Sequence, residues 1–202
     1  MRAHDVMTSP VVTVEPDTPL KAAAALLAAR GFTALPVLDA EERLVGIVTE
    51  ADLMRGRIPF DPRHHDPVPP AAEHATVADV MSAPVIFANP GTDLAELAAT
   101  MLDSRLRSVP IVDGHRLVGI VTRRDLVRLT GRDDALIARD VRHRLEIYGG
   151  GRRWRVEVRE GVVTIGDEFD DPTDRHAARR LAEAVPGVVR AEVFTMPEAE
   201  RT

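Results

Sequence analysis

The sequence predicts a mixed α/β and α+β protein, built from two copies of a β-α-β-β-α unit and a smaller α-β-β-α-β domain. Three observations lead to this prediction. Motifs near the start of the chain return 74 residues later, the repeat stops near residue 130, and a different pattern of helix and strand signals follows. Because self-similarity at a constant offset indicates a repeated structural unit, we expect both copies to have the same fold.

Three matched segments define the repeat. They are Leu-Val-Gly-Ile-Val-Thr at residues 44–49 and 117–122, Asp-Val-Met at residues 5–7 and 79–81, and the proline steps at Pro36 and Pro110. A unit of about 55 residues buries too little apolar surface to be stable alone. We therefore expect the two copies to pack together as one pseudo-symmetric body.

Each copy predicts the order strand, helix, strand, strand, helix. β-Branched runs indicate the strands, and Ala- and Leu-rich runs indicate the helices. In the first copy these are a strand at residues 11–14, a helix over Leu20–Arg30 ended by Gly31, strands at 35–38 and 44–48, and a short helix after Thr49. In the second copy they are a strand at residues 85–87, a helix over Leu94–Asp103, strands at 109–112 and 117–121, and a helix from Arg123.

The third domain begins near residue 132. Its predicted elements are a helix carrying Leu136, Ile137, Val141 and Leu145, a hairpin of residues 154–158 and 162–166, a helix at 172–185 and a strand at 188–194. The predicted boundaries are residues 1–57 and 75–130 for the two copies, 58–74 for a proline-rich linker, and 132–197 for the third domain.

The composition excludes several classes of protein. There is no cysteine, so disulfides and thiolate chemistry are absent. A net charge of -6 and an aromatic content of 3% argue against a nucleic-acid partner. No apolar run has the length of a membrane span or signal peptide, which predicts a cytoplasmic protein. The linker run His64-His65-Asp66 offers metal-ligand chemistry, but neighbouring loop residues seldom hold coordination geometry, so no metal site is predicted.

The candidate binding residues lie where a strand runs into a helix in each copy, in the pattern Gly-Ile-Val-Thr-x-x-Asp. A helix N-terminus presents free N–H groups to a phosphate. The hydroxyls of Thr49 and Thr122 can donate to a phosphate or ribose oxygen, and the carboxylates of Asp52 and Asp125 can accept from two ribose hydroxyls. The alternative is that each Thr-x-x-Asp pair only caps its helix.

The two junctions differ in charge. The first contains Glu50, a carboxylate where a phosphate would bind, whereas the second offers the guanidinium groups of Arg123 and Arg124. We therefore predict that the Asp125 cleft binds a polyphosphate. The Asp52 cleft would take a neutral or monophosphate ligand or stay empty, and Arg107 could add positive charge there. A solvated helix face is the alternative role for the two arginines.

These motifs resemble the CBS domain over about residues 1–130, and the two copies together resemble a Bateman module. The resemblance implies a regulatory homodimer that binds AMP, ADP or ATP between the copies, with ribose on the aspartate and phosphates near the threonine. It implies adenine walls formed by Val12, Thr13, Val14, Thr33, Ala34, Leu35 and Pro36, and by Ile86, Phe87, Ala88, Arg107, Ser108, Val109 and Pro110. Which wall serves which aspartate stays open.

The third domain resembles the BON domain through the segments Gly-Val-Val-Thr-Ile-Gly at residues 161–166 and Val-Pro-Gly-Val-Val-x-Ala-x-Val at residues 185–193. That resemblance implies a phospholipid or protein partner. Basic side chains near the hairpin are candidates for this contact, and charged protection of a sheet edge is the alternative role: Arg152, Arg153, Arg155 and Arg159.

No catalytic motif is found, so the sequence predicts no enzyme, no catalytic residue and no catalytic cofactor. The predicted function is a sensor in which an adenine nucleotide bound to the CBS pair controls the third domain. The alternative is a ligand-independent adaptor that acts through the third domain alone.

Overall fold

The computed structural model describes residues 1–55, 57–58, 63, 75–151, 153–169 and 171–197. The chain divides into two compact units, Arg2–Arg123 and Arg124–Thr202, which we call the repeat unit and the C-terminal unit. Most of the predicted linker, with its run His64-His65-Asp66, lies outside the described residues. Among the described residues, no helix has both the length and the apolarity that crossing a membrane requires.

The repeated motifs produce the same elements twice. The first copy forms α1 (Leu20–Arg30), β1 (Ala34–Leu38), β2 (Leu44–Thr49) and α2 (Glu50–Met54), and the second forms α3 (Leu94–Asp103), β3 (Ser108–Asp113), β4 (Arg116–Thr122) and α4 (Arg123–Thr130). β1 pairs antiparallel with β2, and β3 pairs antiparallel with β4. The division between the units lies inside α4, a few residues before the predicted boundary, so this helix groups with the C-terminal unit except at Arg123.

The predicted first strand of each copy is reduced to a single bridge. Val14 pairs in parallel with Val37, and Ala88 pairs in parallel with Ile111. The strand is short because a turn follows at once, closed in the first copy by a hydrogen bond from Thr18 N to Glu15 O at 3.1 Å. The chain therefore leaves the sheet after one pair of bonds to its neighbour.

The Asp-Val-Met openings are exchanged between the copies. Thr8 and Ile120 form two backbone hydrogen bonds of 2.9 and 3.1 Å, so the opening of the first copy extends the sheet of the second. Ser82 and Ile47 form the reciprocal pair, at 2.9 and 3.1 Å. Val77, from the second opening, is fully buried in the core of the first copy. Each copy is thus completed by a segment that the sequence assigns to the other.

Each exchanged opening places its methionine over a glycine. A Cβ at Gly119 would lie 2.3 Å from Met7 Sδ, and a Cβ at Gly46 would lie 2.3 Å from Met81 Sδ. Atoms cannot approach this closely, so any side chain at either glycine would displace the methionine. The glycine in the repeated Gly-Ile-Val-Thr motif is therefore explained by contact with the other copy.

The C-terminal unit continues with α5 (Asp134–Gly149), β5 (Trp154–Arg159), β6 (Val162–Asp167), α6 (Pro172–Glu183) and β7 (Arg190–Thr195). β5 is antiparallel and β7 is parallel to the central β6. Ile137, Val141 and Leu145 face its core as predicted, but Leu136 is 43% exposed. A position next to Ile137 is rotated by about 100° around the helix, which turns Leu136 away from the core.

A buried ion pair corrects the sequence-based view of Arg153, which is not on a solvated edge. Its guanidinium donates from Nε to Asp167 Oδ1 at 2.7 Å and from Nη2 to Asp167 Oδ2 at 2.9 Å. Asp167 is fully buried. Arg153 Nη1 also lies 2.6 Å from Asp174 Oδ2, and Tyr148 donates to the same carboxylate. Hydrogen bonds from Arg153 and then Tyr148 hold the pKa of Asp174 below its usual value.

Of the other arginines predicted near the hairpin, two are described by the structure. Arg155 and Arg159 are exposed, while Arg152 lies outside the described residues.

Candidate functional site

The first strand-to-helix junction forms the predicted cap. Thr49 is the N-cap of α2 in an extended conformation, and its N and Oγ1 donate to Asp52 Oδ2 at 2.9 and 2.7 Å. Both side chains are half-buried. Among the described residues, Asp52 Oδ1 has no hydrogen-bond partner. The carboxylate therefore keeps one oxygen that can accept hydrogen bonds from a ligand.

The same capping geometry occurs elsewhere in the repeat unit. Thr76 precedes the one-turn helix Val77–Asp79, and its N and Oγ1 donate to Asp79 Oδ2 at 2.7 and 3.2 Å. Capping contacts alone therefore do not identify a binding site. What distinguishes Asp52 is its surroundings, because the start of α2 is bonded to a predicted adenine wall: Glu50 N donates to Thr33 O at 3.3 Å.

The predicted walls of the first copy differ in what they can offer a ligand. Leu35 is fully buried, and Val14, Ala34 and Pro36 are buried as well. These four residues therefore expose little side-chain surface to a ligand. The residues Val12, Thr13 and Thr33 are half-buried. Of the first wall, therefore, mainly these three side chains are accessible to a ligand.

The walls of the two copies meet at one hydrogen bond. The hydroxyls of Thr33 and Ser108 lie 3.2 Å apart, which joins the residue before β1 to the first residue of β3. In the second wall, Ser108, Val109 and Pro110 are buried, Ala88 is half-buried and Arg107 is exposed. Ile86 and Phe87 are 49% and 54% exposed, so their side chains are accessible to a ligand.

The second junction differs from the first in the residue that begins its helix, Arg123 in place of Glu50. Arg123 donates from Nε to Leu106 O at 2.7 Å and from Nη2 to Met101 O at 2.8 Å, so its guanidinium contacts the chain itself. Thr122 and Arg123 belong to the repeat unit, and Arg124 and Asp125 belong to the C-terminal unit. Within the latter, Arg128 Nη1 lies 3.7 Å from Asp125 Oδ1, and the Asp125 side chain is 11% exposed. Arg124 is exposed.

No metal centre is formed in the parts of the chain that the structure describes, where no three His, Asp or Glu side chains converge. Besides the contacts of Arg123, two features of the molecule were not predicted from the sequence. These are the exchange of the openings, which the repeated Asp-Val-Met motif signals without naming its partner, and the buried carboxylate of Asp167, for which the sequence has no local signal.

Known sequences resemble the repeated part of the chain. The CBS domain family profile matches residues 3–58 and 77–131. An uncharacterised protein of Methanocaldococcus jannaschii, MJ1225, is 28% identical over 64% of this chain and 43% of its own length. The inosine-5'-monophosphate dehydrogenase of Thermoplasma acidophilum is 32% identical over 62% of this chain and 23% of its own length. The matches thus span less than half the length of these curated relatives.

Solved structures resemble the same part. The CBS domain pair of protein MJ0100, in complex with 5'-methylthioadenosine and S-adenosyl-L-methionine, is 27% identical with a TM-score of 0.55, over 65% of this chain and 96% of its own. The structure of CBSX2 in complex with AMP is 29% identical with a TM-score of 0.52, over 63% of this chain and 93% of its own.

Proposed function

This chain belongs to the CBS domain family, and from that premise we propose that its two copies bind an adenosine compound and serve a regulatory, non-enzymatic role. The observation that carries the proposal is Oδ1 of Asp52, which has no hydrogen-bond partner within the described part of the chain. It belongs to a half-buried carboxylate two residues after Glu50, whose N–H is bonded to the wall residue Thr33. A carboxylate so placed can accept hydrogen bonds from the two vicinal hydroxyls of a ribose.

The charge at the first junction favours a ligand with little or no phosphate. Glu50 is exposed at the start of α2, where a phosphate would approach, and a second anion there would be repelled. The solved structures in complex with 5'-methylthioadenosine and S-adenosyl-L-methionine, and with AMP, support both kinds of adenosine compound as candidates. We assign the uncharged or cationic kind to Asp52.

The second junction is our proposed site for a phosphorylated nucleotide. Arg124 is exposed and follows Thr122 by two positions, so its guanidinium is the candidate phosphate ligand, and Asp125 is the candidate ribose ligand. The contacts of Arg123 with Met101 and Leu106 support a different role for that residue, which is developed below.

The C-terminal unit is proposed as the part that responds to the ligand. Its α-β-β-α-β order and its separate core of Ile137, Val141, Leu145 and neighbouring residues support an independent domain, as the BON resemblance implies. A ligand acts on it only by binding one arrangement of the repeats more tightly than another. A phospholipid or protein partner, the homodimer and the cytoplasmic location are further parts of the proposal. Light scattering of the purified chain tests the homodimer.

Ligand-induced stabilisation tests the proposed site. At one hundred times its dissociation constant a ligand adds about 2.7 kcal/mol to the stability of the native state, a rise that is easily seen in the melting temperature. We expect Asp52→Asn to abolish the rise caused by S-adenosylmethionine, and Asp125→Asn to abolish the rise caused by ATP. AMP and ADP complete the series.

The chain offers a matched control in Asp79→Asn, which weakens the same kind of cap away from the predicted walls. This variant should lose a little stability and keep every ligand-induced rise. If all three variants lose the rise equally, the aspartates act only as caps and the proposed site is wrong. If the wild-type chain shows no rise with any of the four ligands, the ligand-independent adaptor is supported, and binding to anionic vesicles becomes the next measurement.

A further inference from the structure

Arg123 makes contacts that the charge pattern alone did not predict. Its guanidinium donates to Met101 O in the last turn of α3 and to Leu106 O in the turn that follows, at 2.8 and 2.7 Å. Its backbone N donates to Arg107 O at 3.0 Å. One residue therefore bonds once to the last turn of α3 and twice to the α3–β3 turn, residues 104–107. This turn leads directly into Ser108 and Val109 of the second wall.

The first copy has the equivalent backbone bond, from Glu50 N to Thr33 O at 3.3 Å, but it closes this turn without a guanidinium. There Gly31 ends α1 in the left-handed conformation, with φ of 63°, and its N–H donates to Leu27 O. The repeat places Arg105 at the equivalent position of the second copy, and it also has a positive φ, of 54°. Left-handed backbone is unstrained for glycine but unfavourable for a residue that has a Cβ.

The residue that begins the following helix also differs between the two copies. The equivalent of Arg123 in the first copy is Glu50, whose carboxylate cannot donate to a carbonyl. The copy with an unstrained glycine turn thus has an acceptor at this position, and the copy with a strained arginine turn has a guanidinium that holds it. The two differences between the copies compensate each other physically.

On the basis of the proposed function, we infer that Arg123 is a positioning residue for the second cleft and not a phosphate ligand. It holds the α3–β3 turn in its left-handed form and so fixes where Arg107 and Ser108 stand for a bound nucleoside. In the segment Thr-Arg-Arg-Asp of the second copy, the first arginine therefore acts within the fold.

A series of ligands that differ only in phosphate number separates the two roles. Calorimetric titration of adenosine, AMP, ADP and ATP is done in the Asp52→Asn background, so that binding reports on the second cleft. We expect Arg123→Ala to weaken all four ligands by a similar factor, about tenfold. We expect Arg124→Ala to spare adenosine and to weaken ATP most. Arg116→Ala, which removes an exposed charge at the start of β4, should change none of them. A loss in Arg123→Ala that grows with each phosphate overturns the inference.

A rescue variant tests the cause. Arg105→Gly removes the strain of the left-handed residue, so we expect it to restore much of the affinity lost in Arg123→Ala. A phosphate ligand could not be replaced in this way, and absence of any rescue argues against positioning.

Hydrogen exchange distinguishes failure of this inference from failure of the proposed function. The amides of Ser104 and Arg105 donate to Thr100 O and Leu102 O, and in Arg123→Ala they should exchange about tenfold faster. Unchanged exchange overturns the inference whatever binds. If no member of the ligand series binds the wild-type chain or the Asp52→Asn background, the proposed function fails, and with it any role of Arg123 in binding.

Discussion

Asp167→Asn is expected to destabilise the C-terminal unit by about 3 kcal/mol, the cost of breaking a buried ion pair by removing one partner. Both carboxylate oxygens of Asp167 accept from Arg153, and Oδ1 also accepts from Phe169 N at 3.1 Å. An asparagine would have to point its NH₂ group at one of these donors. Asp174 would then be the remaining carboxylate in the ion pair with Arg153, whose side chain is only 12% exposed.

The single tryptophan makes this prediction measurable. Trp154 lies in the C-terminal unit, with Arg153 Cζ 4.3 Å from its ring centroid, so its fluorescence reports the unfolding of that unit. The urea midpoint of Asp167→Asn should fall by about 2 M, given a slope of roughly 1–2 kcal/mol per molar. Glu192→Gln is the control, because its ion pair with Arg190 is exposed, and it should shift the midpoint little. Equal small shifts in both variants would show that the buried pair adds no stability.

Gly119→Val is expected to destabilise the repeat unit by about 2–3 kcal/mol through overpacking. A Cβ there would lie 2.3 Å from Met7 Sδ, 2.7 Å from its Cγ and 3.0 Å from its Cβ. The methionine cannot avoid the clash by moving its tip alone, because its own Cβ is in contact. The opening of the first copy would have to shift, which strains its two backbone bonds to Ile120.

A double variant identifies the cause of that loss. Met7→Ala makes space at the glycine, so the loss in Met7→Ala/Gly119→Val should be smaller than the sum of the two single losses by about 1–2 kcal/mol. Gly91→Val is the matched control, because its nearest neighbour is the flexible Arg2 at 3.7 Å. Chemical denaturation monitored by circular dichroism provides the measurement. Strict additivity would mean that the exchanged opening does not lie on Gly119 in solution.

The sequence alone was sufficient for the repeat and for its local structure. The helices α1 and α3 have the predicted limits, Leu20–Arg30 and Leu94–Asp103, because both are runs of strong helix formers. A residue with positive φ follows each run, Gly31 directly after α1 and Arg105 two residues after α3. The cap formed by Thr49 and Asp52 was predicted because the two residues are three positions apart, the spacing of a capping box. The tandem CBS pair is confirmed by its family match.

Two predictions, the first strand of each copy and the position of Arg153, could not be made correctly from the local sequence. Residues 11–14 have the composition of a strand, yet only Val14 pairs, because the position of the neighbouring β1 and the following turn decide how many bonds form. Arg153 looked like one more surface arginine of a charged hairpin. Its burial depends on Asp167 and Asp174, which are distant in sequence and adjacent only after the sheet and α6 have packed.

The sequence by itself therefore determined the two copies, their helices and the capped first junction, since these depend on residues a few positions apart. Only the tertiary structure decided which copy each Asp-Val-Met opening completes and what Arg123 binds. The first depends on a pairing between Thr8 and Ile120, and the second on carbonyls of Met101 and Leu106. Hydrogen bonds between distant segments are set by which surfaces meet in the folded chain, and no periodicity along the sequence records them.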